Sequence, residues 1–282
     1  MIGIYIHIME RGITGVRLIN NSIIVVKLGG ATLGTTIEDI VELQQRGKSL
    51  VVVHGGGKLI TDWLEKQGIS SRFVHGERVT DEATLEVVIS VLAGLVNKEI
   101  VAAINSLGGN AVGISGVDGA FIQGRIKDEE LGYVGTVVKV NPAPLEALLK
   151  SGYIPVIAPV SLHATDKPDK APQVLNINAD AVAGEIAAAI GAERLIFLTD
   201  VVGICDQSGN LLSRLSPDEA EALVASGVAS GGMIPKIKAC LRALSGTSTT
   251  RIIDGRQPHA LLSEIEGHGG GTTIQKAYEG KD

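Results

Sequence analysis

Two strand–turn–helix units near the start of the chain constrain its fold more than any other feature. The apolar run at 23–28 ends at a glycine pair and is followed by a helical pattern over 36–46. The run at 50–53 leads in the same way into three glycines and a helical pattern over 58–67. A strand, a turn and a helix in succession are typical of βαβ units, whose strands are parallel. Because the runs are continuously apolar rather than alternating, we expect helices on both faces of the sheet.

The rest of the chain continues this alternation of short apolar runs and helical patterns. A capping-box pattern at Ser216–Glu219 predicts one helix start. We expect an extension over 1–22, an N-terminal lobe over 23–190 and a C-terminal lobe over 191–282, the two lobes sharing one sheet without a linker. The further predicted elements are a helix over 81–107, a hairpin-bearing region over 111–140, a strand over 154–160, a loop over 163–173, a helix from about 179 to 191, a strand over 195–198, a helix over 234–244 and a last strand near 251–253.

Composition narrows the class of protein. Hydrophobic residues make up 45% of the chain, too many for a disordered protein. Acidic residues outnumber basic ones by 31 to 25 and aromatics are only 3%, which does not fit a nucleic-acid binder. No uninterrupted apolar run approaches the ~20 residues of a membrane span. Two cysteines without a CxxC pattern fit a reducing compartment, so we expect a cytoplasmic protein. From the charge balance and the short apolar runs we expect neither nucleic acid nor a membrane as partner.

Glycine clusters at 29–30, 55–57 and 231–232 stand out among the 36 glycines of the 282-residue chain. One glycine pair can simply make a tight turn. Two such turns after successive strands favour phosphate binding, because exposed N–H groups and helix N-termini attract anions. The GKS triplet at 47–49 is not a P-loop, since it precedes a strand and lacks the first glycine of that motif. No GxGxxG motif follows a strand, which weakens the case for a dinucleotide dehydrogenase.

Four charged residues are candidates for binding an anion. Lys27 lies in an apolar strand two residues before Gly29, where its ammonium would meet a bound phosphate unless it extends to the surface. Lys236 follows the glycine pair at 231–232 near a helix start. Asp180 falls in the first turn of a helix, where an acid is also simply a favourable N-terminal charge. Arg78 has polar neighbours and could equally be a surface arginine.

Six segments, taken in order, resemble the amino acid kinase family, and the resemblance covers about 23–275. They are KLGG at 27–30, VVHGGG at 52–57, GERVTD at 76–81, LNINAD at 175–180, LTDVVGICD at 198–206 and GGMIPK at 231–236. DEELGYVG at 128–135 is similar to the same family. The resemblance implies an α/β fold, a three-layer αβα sandwich around a mostly parallel, approximately eight-stranded open sheet.

The resemblance also implies roles for individual residues. Lys27 and Lys236 would stabilise the transferring phosphoryl group, and Asp180 would hold both lysines in place. The N-terminal lobe would bind the acyl amino acid, and the C-terminal lobe would bind ATP. The implied substrate-binding residues are Gly56, Gly57, Arg78 and Asn176. The implied ATP-binding residues are Gly29, Gly30, Asp200, Val201, Val202, Gly203, Ile204, Cys205 and Ser230.

The implied reaction is phosphorylation of the γ-carboxylate of N-acetyl-L-glutamate by ATP with Mg²⁺, the second step of arginine biosynthesis. A carboxylate with a reference pKa near 4.3 is already ionised at pH 7, so no general base is required. The site therefore needs cations and N–H groups rather than a histidine base or a serine nucleophile. No protein metal ligands are expected, because Mg²⁺ would be held mainly by the phosphates of ATP.

The chain departs from the family pattern at two places. Glu77 stands where the family more usually has leucine, and it puts an anion next to Arg78. The extension over 1–22 is shorter than in the arginine-inhibited hexameric branch, so a homodimer without strong arginine feedback is expected. Two other functions stay open: a kinase for aminoadipate or glutamate attached to a carrier protein, and a regulator that binds nucleotides or amino acids without catalysis.

Overall fold

The computed structural model describes residues 22–30 and 34–276, so nearly all of the predicted extension over 1–22 lies outside the described residues. Its main element is an open sheet of eight strands with the spatial order β12-β14-β13-β11-β1-β2-β8-β5. Six neighbouring strands are parallel, while β12 and β14 run in the opposite direction. The strands are β1 (Ile23–Leu28), β2 (Ser49–His54), β5 (Ala111–Ser115), β8 (Ile154–Ala158), β11 (Arg194–Thr199), β12 (Arg214–Leu215), β13 (Thr249–Asp254) and β14 (Thr272–Gln275).

Nine α-helices cover the two faces of this sheet in the described part of the chain. One face packs on α1 (Thr36–Gln45), α2 (Gly57–Lys66), α3 (Glu82–Ile89), α4 (Asn97–Ser106) and α9 (Ala260–Ile265). The other packs on α5 (Ala143–Lys150), α6 (Ala179–Ala189), α7 (Pro217–Ala225) and α8 (Met233–Ala243). The strands are apolar on both faces because each face is buried, as the continuous runs indicate. The three-layer αβα sandwich implied by the sequence is confirmed.

A smaller group of strands lies beside the main sheet. Four strands close into a small barrel, and a short hairpin stands next to it. Two of the barrel strands form the hairpin expected within 111–140. The barrel strands are β6 (Ile122–Ile126), β7 (Val134–Val140), β9 (Val160–His163) and β10 (Val174–Ile177), and the separate hairpin is β3 (Phe73–Val74) with β4 (Glu77–Arg78).

Three sequence expectations change in the structure. The strand expected over 154–160 is interrupted at Pro159, which has no N–H to donate, so β8 ends in the main sheet and β9 begins in the barrel. The strand near 251–253 is not the last, because β14 follows it. The threonine-rich sequence of β14 lacks the apolar run by which the other strands were predicted. The helix over 81–107 contains a π-helical segment at Ser90–Val96 between α3 and α4.

The helix formed by α3, the π-helical segment and α4 is long and apolar enough on average to cross a membrane, although charged residues interrupt it. A buried helix of a soluble protein passes the same test. Here Val88, Leu92 and Ile104 are almost fully buried in the core shared with the sheet. The helix is therefore accounted for as part of the sandwich.

Candidate active site

The site is built where parallel strands end. The carboxyl ends of β1, β2, β11 and β13 meet at one edge of the sheet, which is where open α/β folds bind ligands. Gly29 follows β1 there, and its N–H donates to the carbonyl of Leu198 at 2.9 Å. A Cβ at position 29 would stand 2.8 Å from that same oxygen, so only glycine allows this close approach.

Lys27, Asp180 and Lys236 come together behind this edge. The Nζ of Lys27 lies 2.7 Å from Oδ1 of Asp180, and the Nζ of Lys236 donates to Oδ2 at 3.1 Å. Asp180 is 5% exposed and Lys27 is 8% exposed. The carboxylate thus bridges two ammonium groups from sites more than 200 residues apart in the sequence, as the implied role of Asp180 requires.

Helix packing explains why the three residues meet. Lys27 lies on the face of β1 that packs on α6, and Asp180 is in the first turn of α6, whose N-cap Asn178 accepts from the N–H of Asp180. Lys236 is in the first turn of α8. The two helices approach closely at Gly184, where a Cβ would stand 2.6 Å from the carbonyl oxygen of Ala239. Gly184 and Ala239 are one turn beyond Asp180 and Lys236 respectively, so the close crossing aligns the two side chains.

Asp180 holds the two lysines in place but does not use all of their hydrogen-bond donors. Oδ1 of Asp180 has no hydrogen bond in the described part of the chain, so its contact with Lys27 is an ion pair with unfavourable hydrogen-bond angles. Lys236 has two acceptors, Asp180 and the carbonyl of Gly232. Since an ammonium has three donors, both lysines keep N–H groups for a further anion.

A cleft of about 210 Å³ lies next to Asp180, since Asn178 and Ala179, which precede it in the chain, are in the lining. Its volume is below the ~300–1,000 Å³ usual for drug-sized ligands, which suits a small organic acid better than a nucleotide. The only charged side chains in its lining, among the residues described, are Glu77 and Arg78. The lining comprises Gly55, Gly56, Gly57, Ile60, Phe73, Gly76, Glu77, Arg78, Leu92, Val134, Pro159, Asn176, Ile177, Asn178 and Ala179.

Arg78 is a buried cation held entirely by neutral groups. Its guanidinium donates to the hydroxyls of Ser71 and Thr61 and to the carbonyl of Gly57, and it lies over the ring of Phe73. It forms no ion pair with any described residue. Burial lowers the pKa of Arg78, but arginine stays protonated in proteins. Its uncompensated charge is suited to a carboxylate ligand, which decides against the surface-arginine alternative.

Glu77 does not compete for Arg78. The two neighbouring residues of β4 point to opposite sides, and Glu77 forms an ion pair with Lys127 at the end of the barrel strand β6. The anion that departs from the family pattern is therefore neutralised by a lysine. The Glu77–Lys127 pair therefore carries no net charge.

Asn176 reaches the same cleft from β10. Its Nδ2 donates to the hydroxyl of Thr80 at 3.0 Å, and Thr80 in turn donates to the carbonyl of Arg78. Thr80 itself is fully buried. This chain of hydrogen bonds fixes Asn176 relative to Arg78, although 96 residues separate it from Thr80.

The residues implied for ATP lie along the carboxyl ends of the C-terminal strands. Asp200, Val201 and Val202 follow β11 and are exposed, and Ser230 is exposed before α8. Gly203 and Ile204 are buried, and the N–H of Ile204 donates to Thr272. The side chain of Ile204 therefore belongs to the core, and its nucleotide contact stays a prediction. Cys205 is partly exposed, and Gly30 is exposed after β1.

The structure adds residues that sequence reasoning missed. Phe73 covers Arg78, Ser71 and Thr61 accept its hydrogen bonds, and Thr80 connects it to Asn176. Only Thr80 lay inside a quoted motif. Among the described residues, no group of three or more His, Cys, Asp or Glu side chains is close enough to hold a metal ion.

Comparison with known proteins gives the class of this chain. Residues 22–254 match the amino acid kinase family. An acetylglutamate kinase of Dehalococcoides mccartyi is 51% identical over 258 residues, covering 90% of this chain and 95% of that protein. An acetylglutamate kinase of Cereibacter sphaeroides is 47% identical over 265 residues, covering 92% and 89%. The structure of N-acetylglutamate synthase from Neisseria gonorrhoeae, complexed with coenzyme A and N-acetyl-glutamate, has a TM-score of 0.77 at 28% identity, covering 93% of this chain and 61% of that one.

The chain belongs to the amino acid kinase family, so it is a phosphotransferase of the class that the sequence resemblance implied. Kinases of this family use ATP as the phosphoryl donor. Within the family, both relatives named above carry one particular name, acetylglutamate kinase.

Proposed function

We propose that this protein transfers the γ-phosphoryl group of ATP to the γ-carboxylate of N-acetyl-L-glutamate, giving N-acetylglutamyl 5-phosphate and ADP. The observation that carries the proposal is the cluster of Lys27, Asp180 and Lys236 beside a small cleft with an unpaired arginine. The names of the protein's relatives support the same substrate, and arginine biosynthesis is the corresponding pathway.

The reaction brings two anions together, and the site's cations offset their repulsion. The substrate carboxylate is already a nucleophile at neutral pH. Lys27 and Lys236 would donate to oxygens of the transferring group from opposite sides of Asp180, which keeps both ammoniums in position. Positioning and charge neutralisation are the main requirements of phosphoryl transfer.

Substrate recognition is assigned to the cleft. Arg78 would bind a carboxylate that does not react, and Asn176 would bind the acetamido group, since an amide offers both a donor and an acceptor. Gly56 and Gly57 would contribute N–H groups. The carrier-protein alternative calls for a basic rim, and the only charged lining residues in the described chain, Glu77 and buried Arg78, do not form one.

The nucleotide is assigned to the carboxyl ends of β1 and β11. Gly29 and Gly30 would approach the phosphates, and the run from Asp200 to Cys205, with Ser230, would contact the rest of the nucleotide. Val201 and Val202 are 39% and 49% exposed there, an apolar surface suited to an adenine ring. Mg²⁺, held by the phosphates of ATP, would neutralise part of their charge. The lobes over 23–190 and 191–282 would thus bind acyl amino acid and ATP respectively.

A hydroxylamine trap for acyl phosphate tests the reaction. The protein is incubated with MgATP and, in parallel, N-acetyl-L-glutamate, glutamate, aspartate or aminoadipate. We expect hydroxamate only with N-acetyl-L-glutamate. No signal with that acid would overturn the substrate, and no signal with any acid would favour a regulator without catalysis.

We further propose a cytoplasmic homodimer. Both cysteines are free, as expected in a reducing compartment. Light scattering coupled to size exclusion tests the assembly: twice the 29.3 kDa chain mass is expected, and a mass of six chains would contradict the proposal.

A further inference from the structure

The backbone between β2 and α2 needs contacts from other side chains to keep its peptide groups in one orientation. It consists of Gly55 and Gly56, and Gly57 is the first residue of α2; all three are in the lining of the cleft. Glycine peptides rotate at little steric cost, because no Cβ restricts them. The property that lets a ligand approach this segment therefore also leaves its N–H groups without a fixed direction.

His54, the last residue of β2, contacts this segment directly. Its side chain is 1% exposed, and its Nδ1 lies 2.9 Å from the carbonyl oxygen of Gly55. Because a trans peptide is planar, its C=O and N–H groups point in opposite directions. A carbonyl of Gly55 turned toward the buried imidazole thus turns the N–H of Gly56 away from the interior. That N–H has no acceptor among the described residues, and Gly56 lines the cleft.

Asn97 decides which nitrogen of His54 carries the proton. Nδ2 of Asn97 donates to the carbonyl of Val156 at 2.9 Å and faces Nε2 of His54 at 3.2 Å. Oδ1 of Asn97 accepts from Lys98, which fixes the amide in this orientation. Nε2 therefore meets a donor and has to be the acceptor, so the proton is on Nδ1 and is donated to Gly55.

The imidazole also stays neutral over a wide pH range. Burial lowers the pKa of His54 to about 4, and the charges of Lys27 and Lys98 act in the same direction. On its other side, Gly56 is packed against Leu92 of the π-helical segment, where a Cβ would stand 2.6 Å from Cδ2. Two buried side chains thus contact the glycine segment: Leu92, which also lines the cleft, and His54, which does not.

We propose that His54 is a positioning residue for phosphoryl transfer: through its Nδ1–H it locks the Gly55–Gly56 peptide so that the N–H of Gly56 points at the anion in the cleft. The inference rests on the proposed function, which supplies that anion as the substrate carboxylate or the transferring phosphoryl group. His54 touches neither reactant. It acts by pre-orienting a backbone donor, the arrangement by which enzymes stabilise developing charge.

Two substitutions separate this role from a purely structural one. His54→Asn places an amide nitrogen near the position of Nδ1, so it can still donate to Gly55, but it loses the contact with Asn97. His54→Gln reaches the position of Nε2 and can accept from Asn97, but it cannot hold the Gly55 carbonyl. His268→Gln is the matched control, since His268 is exposed in the loop after α9.

Steady-state kinetics with N-acetyl-L-glutamate and MgATP are measured with the melting temperature of each protein. We expect His54→Gln to lower kcat about tenfold or more with the KM for ATP unchanged, since one aligned donor is lost. His54→Asn should retain most of the turnover, whatever its melting temperature. Activity that follows melting temperature in both variants, or an unchanged kcat in His54→Gln, would overturn the proposal.

The protonation of the ring is read independently by ¹⁵N spectra of histidine-labelled full-length protein. The Nδ1–H tautomer of His54 is expected from pH 5.5 to 8, while a proton on Nε2 in that range would overturn the proposal. An inactive wild-type enzyme would overturn the proposed function instead. The imidazole spectrum would still show whether His54 makes the predicted hydrogen bond.

Discussion

Asp180 and Glu264 are both buried carboxylates in contact with two cationic side chains, but they lie at opposite ends of the strands of one sheet. Asp180 contacts Lys27 and Lys236 at the carboxyl edge. Glu264, on α9, contacts Arg251 at 2.6 Å and Arg194 at 4.0 Å toward the amino ends of β13 and β11. Their exposures are equal, 5% each.

The two clusters differ in what their cations do with their remaining donors. The guanidinium of Arg251 also donates to Thr273 and to the carbonyl of Gly270, so it joins α9, β14 and the loop between them. The two lysines at Asp180 have fewer partners: among the described residues, Lys27 contacts Asp180, and Lys236 contacts Asp180 and the carbonyl of Gly232. The guanidinium of Arg251 joins three parts of the fold and so stabilises it, whereas the two lysines have fewer protein acceptors and can bind a further anion. Burial and charge alone do not distinguish the two kinds of site.

The largest effect is expected for Lys236→Ala. Removing one of the two phosphoryl-contacting cations should lower kcat about 1,000-fold or more, as loss of a transition-state cation does in other phosphotransferases. ATP should still bind, because other groups hold the nucleotide. The measurement is kcat by the hydroxamate assay together with ATP affinity by calorimetry.

Lys238→Ala is the control for this change, because Lys238 is exposed on the same helix two residues away. Its turnover should equal that of the wild type. Near-normal turnover in Lys236→Ala would remove Lys236 from the mechanism and erase the difference between the two clusters.

A matched pair of isosteric substitutions tests the comparison itself. Glu264→Gln leaves Arg251 buried without its counter-charge and should lower the free energy of unfolding by about 3 kcal/mol, with kcat unchanged. Asp180→Asn should instead lower kcat by roughly 10²-fold through misplaced lysines. Urea denaturation and steady-state kinetics are measured on both proteins. The same pattern of losses in the two variants would show that the clusters are equivalent.

Much of the fold could be predicted because its signals are local. The glycine turns after β1 and β2 and the capping box at Ser216 depend on residues within a few positions of each other, and all were found. The break at Pro159 and the strand β14 were not predicted. The break at Pro159 depends on where the chain has to leave the main sheet. The strand β14 has too few apolar residues to show a pattern.

The site divides in the same way. Lys27 and Asp180 stand out from apolar surroundings, and the resemblance supplied their roles. Nothing in the sequence indicates that Thr61, Ser71 and Phe73 surround Arg78, because those contacts depend on how α2 and the β3–β4 hairpin pack. The pairing of Glu77 with Lys127 is equally invisible, since 50 residues separate the two.

A third buried carboxylate, Asp39 on α1, extends the comparison to a pair whose contribution to stability depends on pH. It lies near the active edge but pairs with His259, so location there does not by itself make a carboxylate catalytic. The hydrogen bond to Asp39 raises the pKa of His259. Protonation then favours the folded state, and the stabilisation is complete below about pH 6.5 and is lost as pH rises through the raised pKa.

The variant that tests this pair is His259→Asn, since asparagine tolerates the left-handed backbone at this position, where φ is 53°. Wild type should exceed the variant in urea midpoint at pH 5.5, and the difference should shrink toward pH 9. Turnover at pH 5.5 should change little. A difference that grows with pH would show that His259 is not held by the carboxylate of Asp39.

The smallest effect concerns the two thiols. Cys240 lies one turn beyond Lys236 on the buried side of α8, and burial raises the pKa of its thiol to about 12, so it should resist alkylation. Cys205 is partly exposed in the segment assigned to the nucleotide. Iodoacetamide followed by mass spectrometry should label Cys205 alone, and MgATP should slow that labelling several-fold while N-acetyl-L-glutamate should not. Labelling that is unaffected by MgATP would place the nucleotide away from Cys205. Because labelling measures occupancy without catalysis, it locates the ATP site even in Lys236→Ala.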